Sequence, residues 1–318
     1  MIKKNDNKMH FWQRNSHTVL IFAFLAVLMI IVSLFSDSFF TERNLKNLVL
    51  SAFPLLMVAL GQTLVLLTGG IDLSLGAIVS LTNVSCVTLM NTESSVGWIP
   101  ALAAAVLIGV LCGGLNGLII SKGRLAPIIV TLATTTIFEG IALFVMSSPG
   151  GRVHSGFRQF FIRGINGYFP LIVSIVVVLL VRMISNQSAY GRHLRSLGGN
   201  ETAAYSTGIK VDRVKLIAYI LAAVLAALAG IYLTARMNSG DATVGKNYSM
   251  NAITSSVVGG TAMTGAIGDP LGTVAGVFIV TIINNMLNLL GASSFYQFIY
   301  QGGILIAALS LSALRRQK

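Results

Sequence analysis

Ten stretches of this chain are apolar for long enough to cross a bilayer, and that repetition constrains the fold more than any other feature. They run 18–36, 47–68, 72–90, 100–120, 127–146, 168–185, 214–236, 249–266, 271–290 and 297–314. A helical span needs roughly 20 mostly apolar residues. In hydrocarbon each backbone N–H and C=O must find its partner within the protein, which favours helices. The expected fold is all-α: a polytopic membrane protein with about ten transmembrane helices, some broken or short. It forms a single transmembrane domain over 1–318. The weakest spans are 72–90 and 249–266, which are rich in Ser, Thr, Asn and Gly.

Composition excludes the soluble classes. Of 318 residues, 54% are hydrophobic and 10% charged, against about 25% charged in a soluble domain. The net charge of +12 raises nucleic-acid binding, but the basic residues flank apolar runs instead of forming one stripe. They read as topology signals, and no nucleic-acid partner is expected. With both termini cytoplasmic, fifteen of the 22 Lys and Arg residues lie on inside segments and seven outside, a positive-inside bias. The predicted outside loop 147–167 departs from it, with Arg152, Arg158 and Arg163. Cys86 and Cys112 lie within apolar runs and read as small core residues, not a disulfide framework. The basic start, Lys3, Lys4, Lys8 and Arg14, leads into a run long enough to anchor the chain.

Residues 66–80, LLTGGIDLSLGAIVS, set a charge among apolar neighbours. A Gly-Gly pair weakens a helix, and a carboxylate costs several kcal/mol in hydrocarbon. Gly69 and Gly70 therefore mark a helix break. Asp72 is placed to cap the helix that follows, near Ser74. One reading is a structural cap at a tight turn near the inner surface. The other is that the break lines a polar path, and a capped half-helix serves both. Residues 259–276, GGTAMTGAIGDPLGTVAG, supply a second glycine-rich interruption. It begins with Gly259, Gly260 and Thr261, and its Asp269-Pro270 step reads as a cap followed by proline at the first helical position. Close helix packing through small residues explains such glycines equally well. The two elements echo each other, which suggests an internal repeat. Glu139, Asn83, Asn116, Asn284 and Asn285 also lie within spans. They either hydrogen-bond between helices or face a wet path. The candidate path residues are Gly69, Gly70, Asp72, Ser74, Asn83, Glu139, Gly259, Gly260, Thr261 and Asn284.

The predicted inside loop 186–213 contains GGNETAAYSTGI. Asn200 or Thr202 can cap a short helix there, and Gly208 can end it. Such a helix is either an ordinary interfacial segment or a dock for a soluble partner. The chain carries no GxxxxGK[ST], HExxH or metal-spaced Cys/His cluster, so an enzyme reading has no support.

LTGGIDLSLGA (67–77), GGNETAAYSTGIKVDRVK (198–215), VVGGTAMTGAIGDPLGT (257–273) and FTERNLKNLV (40–49) resemble the permease subunits of bacterial ABC importers for monosaccharides. These are the ribose, galactose, arabinose and xylose type, with the autoinducer-2 importer among them. The resemblance covers about 18–314. It implies an inner-membrane permease that works with a second copy or a paired permease. It also implies a cytoplasmic ATPase, which binds the ATP so that the permease needs no cofactor, and a periplasmic sugar-binding protein. The ATPase-coupling helix falls at about 199–208, on Gly199, Asn200, Glu201, Thr202, Ala203, Ala204, Tyr205 and Gly208. An ATP-independent secondary transporter or channel, with Asp72 and Glu139 as ion sites, is the alternative. A related permease for branched-chain amino acids or a cobalamin-like cofactor is a third.

Overall fold

The protein is described by a computed structural model covering residues 3–36, 38–90, 98–289, 299, 302, 303 and 306. Twelve α-helices and no strand occur among the described residues. They are α1 (Lys3–Phe35), α2 (Glu42–Leu67), α3 (Leu75–Met90), α4 (Ile99–Gly123), α5 (Pro127–Val145), α6 (Ser155–Arg158), α7 (Phe169–Arg182), α8 (Ala189–Gly199), α9 (Glu201–Ser206), α10 (Val211–Met237), α11 (Tyr248–Val258) and α12 (Pro270–Leu289).

Among the described residues, seven helices are long and apolar enough to cross a membrane: α1, α2, α4, α5, α7 with its helical continuation to Gln187, α10 and α12. α3 is apolar but shorter. The stretch 249–266 is not one continuous span. α11 has 11 residues, about 16 Å at 1.5 Å per residue, half the thickness of the hydrocarbon layer. The chain is non-helical from Gly259 until α12 begins at Pro270. The candidate span 297–314 lies almost wholly outside the described residues.

α2 and α10 are the most enclosed spans, and α1 packs at the edge against α12. α10 can sit centrally because LAAVLAALAG gives it a thin profile against α2, α3 and α4. Gly109, Gly113 and Gly117 of α4 face it at four-residue spacing. A Cβ on Gly113 would lie 2.5 Å from the Tyr219 carbonyl, and one on Gly117 would lie 2.9 Å from Leu216 Cα. Small residues at such a crossing replace the hydrophobic driving force that lipid does not supply. Gly113→Val should therefore sharply reduce recovery of monodisperse protein in detergent, through about 1–3 kcal/mol or more of overpacking. Gly114→Ala should not, because nothing lies within 4 Å of that Cβ position. Equal thermal stability of the two variants would refute this account of the crossing.

The chain order sorts the connections onto two ends. At the distal end, Gly150 and Gly240 pair through two backbone hydrogen bonds of 3.0 and 2.8 Å. Loop 147–167 packs there through aromatic contacts among Trp98, Phe157, Phe160, Phe161 and Phe169, with Phe157 fully buried. Arg152, Arg158 and Arg163 stay exposed. The basal end holds 68–74, the α8–α9 loop and 259–269.

Candidate functional site

α2 stops at the glycine pair. Gly69 takes a left-handed φ of +78°, and its N–H still reaches Leu66 O at 2.8 Å. The chain then turns through Asp72, which is fully buried. Its Oδ1 accepts from Ser74 N–H at 2.8 Å and from the Ser74 hydroxyl at 2.6 Å. Asp72 therefore closes a turn over 72–74 that leads into α3 and does not cap that helix. Ser74 is the last residue before α3, and its carbonyl accepts from Ile78 N–H at 2.9 Å.

The buried polar backbone around this turn is gripped from several helices. The Gln62 amide of α2 donates to Asp72 O at 3.0 Å and accepts from Asp72 N–H at 3.2 Å. Asn116 of α4 donates to Ser74 Oγ at 2.8 Å. Thr131 of α5 donates to Ile71 O at 3.3 Å. Ser249 of α11 donates to Leu73 O at 2.7 Å and accepts from Gly76 N–H at 2.8 Å. Among the described residues, Asp72 Oδ2, Asn116 Oδ1 and Tyr219 Oη are buried without a hydrogen-bond partner. A Cβ on Gly70 would come within 2.6 Å of Tyr219 Oη, so these groups crowd one small region.

The second interruption starts where Gly259 N–H bonds Ser255 O at 2.9 Å and Gly260 turns to φ +89°. Thr261 is buried, with its hydroxyl unpartnered. The chain closes a small loop through Ala262 N–H to Ile267 O at 2.9 Å, with Gly265 and Ala266 both at positive φ. Asp269 then caps α12, accepting from Leu271 N–H at 3.1 Å. One turn before α2 ends, Thr63 joins the helices flanking this break. Its hydroxyl lies 3.1 Å from Ser256 Oγ and 2.7 Å from Thr273 Oγ1.

The two interruptions touch. Ala266 N–H donates to Leu67 O at 3.1 Å. Gly198, near the end of α8, packs its backbone against Leu67 O, Gly265 and Ala266, with no room for a Cβ. The two breaks thus pack directly on one another, with the end of α8 closing over them. The chain continues into α9, capped by Asn200, whose side chain accepts from Ala203 N–H at 2.9 Å. Gly199 and Asn200 are exposed, and Gly208 takes φ +83° just beyond the helix. Ala204 is buried, whereas Glu201, Thr202, Ala203 and Tyr205 face outward, Tyr205 with 74% of its surface exposed. Glu201 pairs with Lys215 at 2.6 Å.

Three of the candidate path residues lie elsewhere. Asn83 of α3 donates to Thr234 Oγ1 at 2.8 Å and accepts from Asp241 N–H at 2.8 Å, so its amide ties α3 to the far end of α10 and the segment beyond. Glu139 is half-buried on α5, two turns beyond Thr131. Asn284 is half-buried on α12, and its neighbour Asn285 pairs with Asn44 of α2 at 3.1 Å. Sequence reasoning passed over Gln62, Tyr219, Ser249 and Gly198. Only Gln62 left a signal, as a lone amide in an apolar run.

Comparison with known proteins agrees with this architecture. The family model described as branched-chain amino acid transport system / permease component matches residues 44–309. The ribose import permease of Bacillus subtilis (strain 168) is 40% identical over 295 residues, covering 90% of this chain and 90% of that protein. The D-allose transport system permease of Escherichia coli (strain K12) is 33% identical over 315 residues, covering 98% of this chain and 95% of its own. The L-arabinose transport system permease of the same strain is 35% identical over 287 residues, covering 89% and 86%. No solved structure matches. The chain therefore belongs to the family of transport-system permease components, as a multi-pass membrane subunit and not an enzyme.

Proposed function

We propose that this chain is the transmembrane subunit of an ATP-binding cassette importer and forms the path for a monosaccharide or similar hydroxylated solute. The observation that carries the reading is the contact of both helix interruptions with the loop that presents α9. A solvent-facing helix at that point gives a soluble ATPase direct purchase on the two places where spans are broken. The cargo follows from the names of the relatives, which specify ribose, D-allose and L-arabinose. The polar groups of the basal cluster are chiefly Ser, Thr, Asn and Gln, which suit hydroxyls better than charge. Gly69, Gly70, Asp72, Ser74, Gly259, Gly260 and Thr261 border the cytoplasmic end of this path, while Asn83, Glu139 and Asn284 act further along it. The permease pairs with a second permease, either its own copy or a partner. A periplasmic binding protein delivers the solute at the distal end, where exposed Arg152, Arg158 and Arg163 offer a basic face. The basal end and both termini are cytoplasmic.

Proteoliposomes holding the permease, its ATPase and its binding protein test this. ATP-dependent uptake is expected for at least one of ribose, allose, arabinose, galactose or xylose, and only with the binding protein present. Uptake that follows a proton or sodium gradient with no ATPase would refute it. Orientation has its own check. In whole cells an impermeant thiol reagent should label Arg158→Cys and spare Tyr205→Cys, and the reverse pattern would invert the topology.

A further inference from the structure

The basal loop holds a residue that none of this uses. Arg195 lies on α8, half-buried, one turn before Gly198. Its guanidinium reaches across to the second interruption. Nη1 donates to Ala266 O at 3.1 Å, and Nη2 donates to Gly268 O at 2.9 Å and to Asn186 Oδ1 at 2.5 Å. Asn186 in turn donates to Oδ1 of Asp269, the cap of α12, at 3.4 Å. Two carbonyls two residues apart suit the rigid planar fork of arginine, which lysine cannot reproduce. Bonds from an ionised donor are the stronger class.

The same carbonyl-rich turn is strained. Ala266 sits at φ +64°, in a region that side chains other than glycine, asparagine and aspartate seldom adopt. Its N–H is bound to the end of α2 while its carbonyl is bound to Arg195. Gly198 fills the space between Leu67 O and Gly265. α8 is thus fastened at one point to the end of α2 and the start of α12, and Gly199 and Asn200 carry it directly into α9.

We propose that Arg195 is a positioning residue that makes α8, the 262–268 turn and the end of α2 move as one body, so that displacement of α9 reaches both helix interruptions. The proposal rests on the reading that an ATPase docks on α9. A loosened clamp would leave the ATPase bound and hydrolysing but disconnected from the path.

The geometry supplies a direct substitute for the clamp. A Cβ on Gly199 would lie 3.9 Å from Ala266 Cβ, within the span of a disulfide. The test uses the reconstituted importer with Arg195→Lys, and Arg195→Lys combined with Gly199→Cys and Ala266→Cys. ATPase retention, ATP hydrolysis and uptake are measured on the same liposomes. Arg195→Lys should retain the ATPase and lower uptake per ATP about tenfold, a typical coupling magnitude. Oxidising the triple variant should restore uptake per ATP relative to its reduced form. Unchanged uptake per ATP in Arg195→Lys would overturn the proposal, as would a cross-linked protein that stays uncoupled. Loss of uptake in proportion to lost ATPase would also overturn it, since that marks failed docking. An ATPase that stays bound when Tyr205→Asp is introduced would sink the docking reading, and the clamp with it.

Discussion

Asp72→Ala is expected to lower uptake per inserted molecule about tenfold or more, with much less change in the amount of protein reaching the membrane. The buried carboxylate gives the Ser74 N–H and hydroxyl their shared acceptor. Alanine strands the N–H inside the protein at a cost of about 1–3 kcal/mol. α2, α4 and α10 pack on one another through long apolar and small-residue faces that the substitution leaves intact. The penalty therefore falls on the turn and shifts its population by roughly five- to 150-fold. Asp72→Asn separates shape from charge. Its Oδ1 can keep both Ser74 bonds, and its Nδ2 takes the place of Oδ2, which has no hydrogen-bond partner to lose. Asparagine should transport close to the wild type. Ion-binding by Asp72, as in a secondary transporter, would make asparagine as poor as alanine. Equal uptake per inserted molecule in the alanine variant would remove Asp72 from the cycle.

The architecture was legible because apolar run length is a one-dimensional signal. It separated the long spans and marked 72–90 and 249–266 as weak, and those became the shorter α3 and the half-length α11. Asp269-Pro270 was readable as a helix start for the same reason, since a cap and a fixed φ act within a few residues. The Asp72 carboxylate falls two residues short of the cap position, which Ser74 occupies. A carboxylate two residues before Ser74 serves a local turn as readily as a helix end, and the two share one sequence pattern. What could not be read was who meets whom. Nothing in Gly198 or Arg195 announces contact with residues some 70 positions away, because those contacts are made with backbone atoms, which every residue carries. Asn83 and Asn116 looked alike in sequence. One fastens the far end of α10, and the other reaches the buried turn.

Thr202→Arg combined with Tyr205→Asp should abolish ATPase co-purification and, with it, binding-protein-dependent uptake, while the permease stays folded. Tyr205 shows 74% of its surface on a helix that Asn200 and Ala204 already hold in place. A large amphipathic ring left in solvent on a six-residue helix adds nothing to the stability of the membrane part. Tyrosine is also among the residues that most often dominate an interface, and losing such an anchor costs about 2 kcal/mol or more, roughly thirtyfold in affinity. A buried aspartate against the partner adds desolvation to that loss. Glu201→Ala is the internal comparison. Its pairing with Lys215 is a surface ion pair, worth about 0–1 kcal/mol, so that variant should keep most of its ATPase. Thermal unfolding in detergent should not separate the double variant from the wild type by more than a degree or two. Retained ATPase in a correctly folded double variant would show that the outward face of α9 is not where the motor sits.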